Sequence, residues 1–450
     1  MLTCLKQVHT IVSCDETDRV YHDTDLWFRD GVIAKIGEAP WNADCVYDGS
    51  DWIVYPGLVN THHHLYQYFT RNLASVQNYE LFDWLKALYE IWKNLNDETV
   101  FFSSLCGMGE LMRYGCTTCF DHHYVFPKGS NDLIGAQVQA AKQIGIRLHA
   151  SRGSMDLSKK DGGLPPDSVV QTVDQIMQDS ESVIETYHDD APLSMCRIVL
   201  APCSPFSVSK ELLTESAKLA RKHRVQLHTH LCETKDEEQY TLSRYGMRPF
   251  AYMESIEWTG PDVFYAHGIH FNDEELDRIA QTGTKIAHCP CSNMKLSSGV
   301  MRIADMMERN IPIGLGVDGS ASNDASNLME EIRSAYLLHR LAWGRRAPSG
   351  YDLLKMATVG GAKVLGRDDI GSIAEGKAAD CFAIRQSAME LVCADTDPMN
   401  LFGTVGYHRS CAIVFVNGVC TVKDGNLTGI DEAEIAQRAR KEVNRLLADS

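Results

Sequence analysis

Histidines and acids at the ends of short apolar runs are the residues of this sequence that could do chemistry together. Pro56-Gly57-Leu58-Val59-Asn60-Thr61-His62-His63-His64 ends an apolar run in His-x-His. On an extended strand successive side chains alternate between faces, so His62 and His64 point one way and His63 the other. Two imidazoles side by side can chelate one metal ion. A lone histidine of this kind is ordinarily a packed core residue, so the weight falls on the ordered set. His228-x-His230-x-x-Glu233 follows, then His267, then Asp318-Gly319, each after a short apolar run. Imidazoles with a carboxylate accept zinc or iron alike, and an ion with an open position suits hydrolysis.

The apolar runs read as the strands that carry these groups. Residues 53–55 precede the His pair, and seven further runs follow at 116–121, 146–150, 197–201, 225–228, 263–266, 285–288 and 313–317. Between most of them lie amphipathic stretches of helical period, such as 211–223 and 273–282. Eight short buried strands alternating with helices predict a (β/α)8 TIM barrel of α/β class. The polar and metal-type residues then sit at the C-terminal mouth, where barrel enzymes keep their chemistry.

The chain ends read differently. Residues 26–37 are two alternating strands around Asp30-Gly31, and 413–422 repeat the pattern around Asn417-Gly418. These dipeptides supply the positive φ angles that tight hairpins need. Both ends are therefore expected to pair into one small β-sandwich domain, with residues 371–380 leading the chain back into it. The expected division is 1–55 and 367–450 for the β-sandwich, the latter with a C-terminal helix over 431–450, and 56–366 for the barrel.

Composition fits a large enzyme. The 450 residues exceed the roughly 250 of a barrel, and 44% apolar content can fill a core. No stretch approaches the roughly 20 apolar residues of a membrane span. No basic region with a long apolar core opens the chain, which predicts a cytoplasmic protein without a signal peptide. A net charge of −17 argues against a nucleic-acid backbone as partner. The 15 cysteines are odd in number and scattered, which fits reduced thiols better than a disulfide framework. His288-Cys289-Pro290-Cys291 could be half of a zinc knuckle, but no second Cys pair completes it. Pro202-Cys203 lacks the Pro-Cys-x-x-Cys and the upstream His-x-Glu of nucleotide deaminases. Packing is the expected role of these cysteines.

The order His62-x-His64, His230-x-x-Glu233, His267, Asp318 resembles the amidohydrolase superfamily. Within it, the pattern is similar to the branch of guanine, cytosine and S-adenosylhomocysteine deaminases and triazine hydrolases. The resemblance spans essentially the whole chain. It implies one divalent metal ion, zinc first and iron as the alternative, held by His62, His64, His230 and Asp318. His228 falls outside that set, because the branch places its Glu three residues after the metal histidine. Two-metal relatives carry a bridging Lys after the fourth strand, where this chain has Ala201-Pro202-Cys203-Ser204. The resemblance also implies catalytic roles. A zinc ion with open coordination lowers the pKa of its water to about 7. Asp318 binds the metal and takes the water's proton, His267 orients the nucleophile, and Glu233 carries a proton to the ring nitrogen.

Gln67 lies three residues beyond His64. Guanine deaminases similarly place a Gln there, whose amide can pair with a purine edge as donor and acceptor. Trp84 either covers a flat ring or packs as helix core. Arg152, just after the third strand, either anchors a substrate oxygen or makes a structural ion pair. With Cys203, these form the expected substrate-binding set. Longer stretches are similar to the bacterial 8-oxoguanine deaminases, among them residues 77–92, 201–209 and His288-Cys289-Pro290-Cys291-Ser292-Asn293-Met294. This implies hydrolysis of a 2-amino group to give urate and ammonia. The other readings are a deaminase of guanine, isoxanthopterin or a related amino-heterocycle, a dechlorinating or N-dealkylating triazine hydrolase, and a non-catalytic purine-binding barrel. Relatives imply a homo-oligomer.

Overall fold

Eight strands line up in chain order as one parallel sheet in the computed structural model, which describes residues 1–448. They are β1 (Leu58–Asn60), β2 (Cys116–Asp121), β3 (Arg147–Ser154), β4 (Cys196–Pro202), β5 (Gln226–Leu231), β6 (Val263–His267), β7 (Lys285–His288) and β8 (Ile313–Leu315). Alternation sorts their side chains. On β4, Ile198 and Leu200 pack outward against the helices while Val199 faces the axis. On β5, Leu227 and Leu231 face outward and His228 inward, against Phe120 and Phe264. Val59, Phe120, Val199, Phe264 and Ala287 fill the axis, joined by Val364, Leu365 and Ile370 from the chain beyond β8. The barrel closes where His63–His64 pairs in parallel with Asp318–Gly319. Around that seam the Thr61 N–H donates to Leu315 O and the Asp318 N–H to His62 O, both at 3.0 Å.

The predicted helices are present. Lys210–His223 starts at Ser209, whose side chain accepts from the Leu212 N–H. Asp273–Thr282 starts with a reciprocal pair between Asn272 and Glu275. The C-terminal tail forms the helix Glu432–Ala448. Asp449 and Ser450 lie outside the described residues.

A second sheet of nine strands is built from both chain ends. Its two halves join where Trp52–Pro56 pairs antiparallel with Cys381–Arg385. Asp30-Gly31 and Asn417-Gly418 turn the two expected hairpins, with φ of 51° and 85° in the first and 46° and 72° in the second. Phe28 and Phe415, four strands apart in the sheet order, meet at 5.4 Å between ring centroids. The sheet therefore folds over on itself and encloses a core with Leu5, Val8, Leu26 and Val54. Residues 53–55, within the expected β-sandwich segment, lie in this sheet and are not the first of the eight barrel strands, which corrects that part of the strand reading. The break is Pro56-Gly57: a Cβ at Gly57 would lie 2.2 Å from Thr117 Oγ1, and β1 begins only beyond it. Arg147, the first residue of β3, ties the two sheets together through a buried ion pair with Asp380 and a hydrogen bond to Asn417.

No helix among the described residues is long and apolar enough to cross a membrane. All fifteen cysteines are free thiols.

Candidate active site

His62 and His64 leave β1, His230 lies near the end of β5, and Asp318 follows β8. Their polar atoms converge at the barrel mouth. His64 Nε2 is 3.2 Å from His230 Nε2 and 3.2 Å from Asp318 Oδ1, and His62 Nε2 is 3.4 Å from the same oxygen.

The far nitrogen of each ring is already committed. His64 Nδ1 donates to His122 O and His230 Nδ1 to Cys203 O, both at 2.6 Å. His62 Nδ1 donates to His228 Nε2 at 3.0 Å, and His228 Nδ1 donates to Phe264 O at 3.0 Å. Those partners leave all three Nε2 atoms as bare lone pairs, and His62 Nε2 has no hydrogen-bond partner among the described residues. Burial pushes His62 down to about 4 and holds His230 well below its ordinary value, so both rings are neutral. Asp318 accepts from Ser292 Oγ at 2.6 Å and from the Gly319 N–H at 2.7 Å. Lone pairs and a carboxylate oxygen crowded together with no proton between them repel one another, and a cation among them reverses that. Three imidazoles with one carboxylate fit zinc or iron. An oriented far nitrogen is what a metal-ligating histidine requires.

The cluster borders a cavity that Gln67, Trp84, Cys203, Tyr124, Glu233 and His267 also line. Glu233 is 4% exposed, and burial holds its carboxyl above the usual range. Ser298 Oγ donates to Glu233 Oε1 at 3.1 Å, and Oε2 lies 3.5 Å from His267 Nε2. His267 Nδ1 donates to Asn293 Oδ1 at 2.9 Å, and its Nε2 is 4.0 Å from Asp318 Oδ2. His267 and Asp318 both have left-handed backbone, φ 71° and 63°, a strain of roughly 1–3 kcal/mol each that clusters at functional sites. Gln67 Oε1 and Trp84 Nε1 are buried without a hydrogen-bond partner among the described residues. Gly319 makes room for the amide, since a Cβ there would fall 1.9 Å from Gln67 Oε1.

Residues 53–426 match the amidohydrolase family. The chain belongs to that family. Amidohydrolases are metal-dependent hydrolases, in keeping with the donor set at the mouth. This amidohydrolase is 44% identical to the 8-oxoguanine deaminase of Pseudomonas aeruginosa over 89% of both chains. It is 37% identical to hydroxydechloroatrazine ethylaminohydrolase of a Pseudomonas species, over 98% of this chain and 94% of that one. Among solved structures it is similar to the atrazine chlorohydrolase TrzN of Arthrobacter aurescens complexed with zinc, with a TM-score of 0.94 at 30% identity, covering 98% of this chain and all of that one.

The amidohydrolase brings together every expected site residue but one. Arg152 does not line the cavity. On β3 it shares the outward face with Leu148 and Ala150, where it bonds Gln171 at 2.7 Å, pairs with Asp179 at 3.3 Å and lies over the Phe126 ring at 3.9 Å. Of its two sequence readings the structural ion pair is the one present. Trp84 packs as helix core: with Leu81, Leu85, Leu88 and Trp92 it belongs to the buried stripe of helix Leu81–Trp92, of which Leu81, Trp84 and Leu85 also line the cavity. His228 sits one layer beneath the mouth, behind His62. Four contributors went unrecognised in the sequence. His122 stacks on His230 with centroids 4.7 Å apart, and Ser292, Asn293 and Ser298 bond the acids and His267. For His122 the signal was the one used for the metal-type residues, a polar group just after an apolar run; Ser292, Asn293 and Ser298 lie farther along the segment after β7 and carry no such mark.

Proposed function

We propose that this amidohydrolase removes the 2-amino group of 8-oxoguanine by hydrolysis, giving urate and ammonia, with one zinc ion held by His62, His64, His230 and Asp318. The 44% identity to the P. aeruginosa deaminase is the observation that carries the choice of ring. The bare Nε2 lone pairs support the ligand set, and the Ala201-Pro202-Cys203 end of β4, with no lysine, supports a single ion.

A zinc ion bound there would supply a water acidic enough to ionise near neutral pH. Asp318 would take a proton from the attacking water through its carboxylate. His267 orients the attacking oxygen over the amino-bearing carbon. Glu233, whose carboxyl burial holds above the usual range, would deliver a proton to the ring nitrogen beside that carbon; the proton taken up by Asp318 would pass to the departing amine, and the new hydroxyl would return its own proton to Glu233 as the carbonyl forms. Gln67 offers its unpartnered Oε1 to a ring N–H. Trp84 covers the ring, and Cys203 lines the wall with a neutral thiol, which burial pushes up to about 12. The free thiols support a cytoplasmic setting, and relatives support a homo-oligomer by analogy.

Zinc-loaded protein incubated with 8-oxoguanine, guanine and isoxanthopterin tests this, by ammonia release and the ultraviolet spectrum. Preference for 8-oxoguanine with urate appearing is the expected result. The likeness to the ethylaminohydrolase over 98% of the chain favours a second reading, hydrolysis of an amino-substituted triazine. Silence on the bicyclic rings with alkylamine released from a hydroxytriazine would select it.

A further inference from the structure

The motif His288-Cys289-Pro290-Cys291-Ser292-Asn293 and the loop behind it take no direct part in the reaction above. Yet residues 292–298 touch all three proton-handling groups, through Ser292 on Asp318, Asn293 on His267 and Ser298 on Glu233. Ser298 is held from two sides. Its N–H donates to Asn293 O at 2.9 Å, and its carbonyl accepts from His270 Nε2 at 2.9 Å. The His270 N–H donates in turn to Cys232 O at 2.9 Å, and Cys232 directly precedes Glu233. The loops after β5, β6 and β7 thus close a ring of contacts around one carboxyl group.

The backbone of Glu233 is held separately. Cys232 has a φ of 54°, a left-handed conformation uncommon for any residue but glycine. The buried Glu237 carboxylate accepts from the N–H groups of both Cys232 and Glu233 at 3.0 Å. That grip keeps the strained turn and aims Glu233 back into the cavity.

We infer that Ser298 is the positioning residue for Glu233: it occupies Oε1, which leaves Oε2, the oxygen facing His267, to carry the transferred proton. His270 anchors Ser298, and Glu237 anchors the turn. The inference rests on the proposed role of Glu233 as proton donor. A carboxyl tied at neither oxygen samples several rotamers, and a displacement of about 1 Å at a reacting group costs on the order of a hundredfold in rate.

Steady-state kinetics on 8-oxoguanine with Ser298→Ala and Ser298→Thr, zinc content matched, provide the test. The Ala variant is expected to lose roughly ten- to a hundredfold in kcat with KM within about threefold, and the Thr variant, which keeps the hydroxyl, to recover most of it. A crystal structure of zinc-loaded Ser298→Ala should show Glu233 out of its present rotamer. Unchanged kcat, a Thr variant no better than Ala, or an unmoved Glu233 would overturn the inference. If the unmodified enzyme turns over none of the rings, the substrate reading fails, and the position of Glu233 in that crystal structure alone decides the present one.

Discussion

His228 lines no part of the cavity, yet it fixes which nitrogen of His62 carries the proton. By accepting from His62 Nδ1 and donating its own Nδ1–H to Phe264 O, it leaves His62 Nε2 bare. His228→Ala should therefore weaken zinc binding by roughly 10–100-fold, the usual cost of losing such an outer partner. Competition with a chelator of known affinity measures this; unaltered affinity would deny His228 the role. Glu233→Gln keeps the shape and an acceptor for Ser298 but has no acidic proton. It should lower kcat by roughly 10²–10⁴-fold at full zinc occupancy, and zinc lost along with activity would make Glu233 a ligand instead. At this scale the residue types were legible and the facing only partly. His228 and His230 share the inward face of β5, and only depth along the strand separates the mouth residue from the one beneath. Arg152 shows the reverse case. Leu148 and Ala150, four and two residues before it, already marked its face as outward.

Elements position these side chains, and the helix Leu328–Trp343 supports the loop that holds them. Its buried Glu331 accepts from the Cys291 N–H at 3.1 Å and from Asn323 Nδ2 at 2.5 Å. Burial pushes this carboxyl up to about 8, against about 4.3 in an unfolded chain. The folded state holds the proton more tightly, so the stabilisation is fully present below the unfolded value and is lost as pH rises through about 8. Melting curves at several pH values between about 5 and 9 should fall more steeply for the unmodified protein than for Glu331→Gln, which carries no charge at any pH. Parallel curves would remove Glu331 as a source of that slope. Element by element, the sequence was readable where local chemistry dictates form. Asp30-Gly31 and Asn417-Gly418 specify hairpins through φ, and the capped helices carry their own boundaries. The seam His63–His64 with Asp318–Gly319 was not readable, because two-residue strands have no period to detect. Residues 53–55 were counted among the eight barrel strands for a related reason: a short apolar run does not name its partner.

For the molecule as a whole, the barrel and the end sheet each bury an apolar core independent of the site histidines. Removing zinc should abolish turnover while far-ultraviolet circular dichroism and a cooperative melt persist. Collapse of the melt on chelation would show that the ion holds the fold itself.

The proposed ligands sit at positions 62, 64, 230 and 318, and two of the strand ends they come from meet only at the seam. A ring has one place where its ends are fastened, and here that place is also the ion's seat. A growing chain can offer the early pair of imidazoles and later the third, but the carboxylate arrives only once the last barrel strand has been made. Tight zinc capture would then serve as a clasp that shuts on a finished barrel, so fragments ending before residue 318 should hold the metal weakly and the complete chain should hold it firmly.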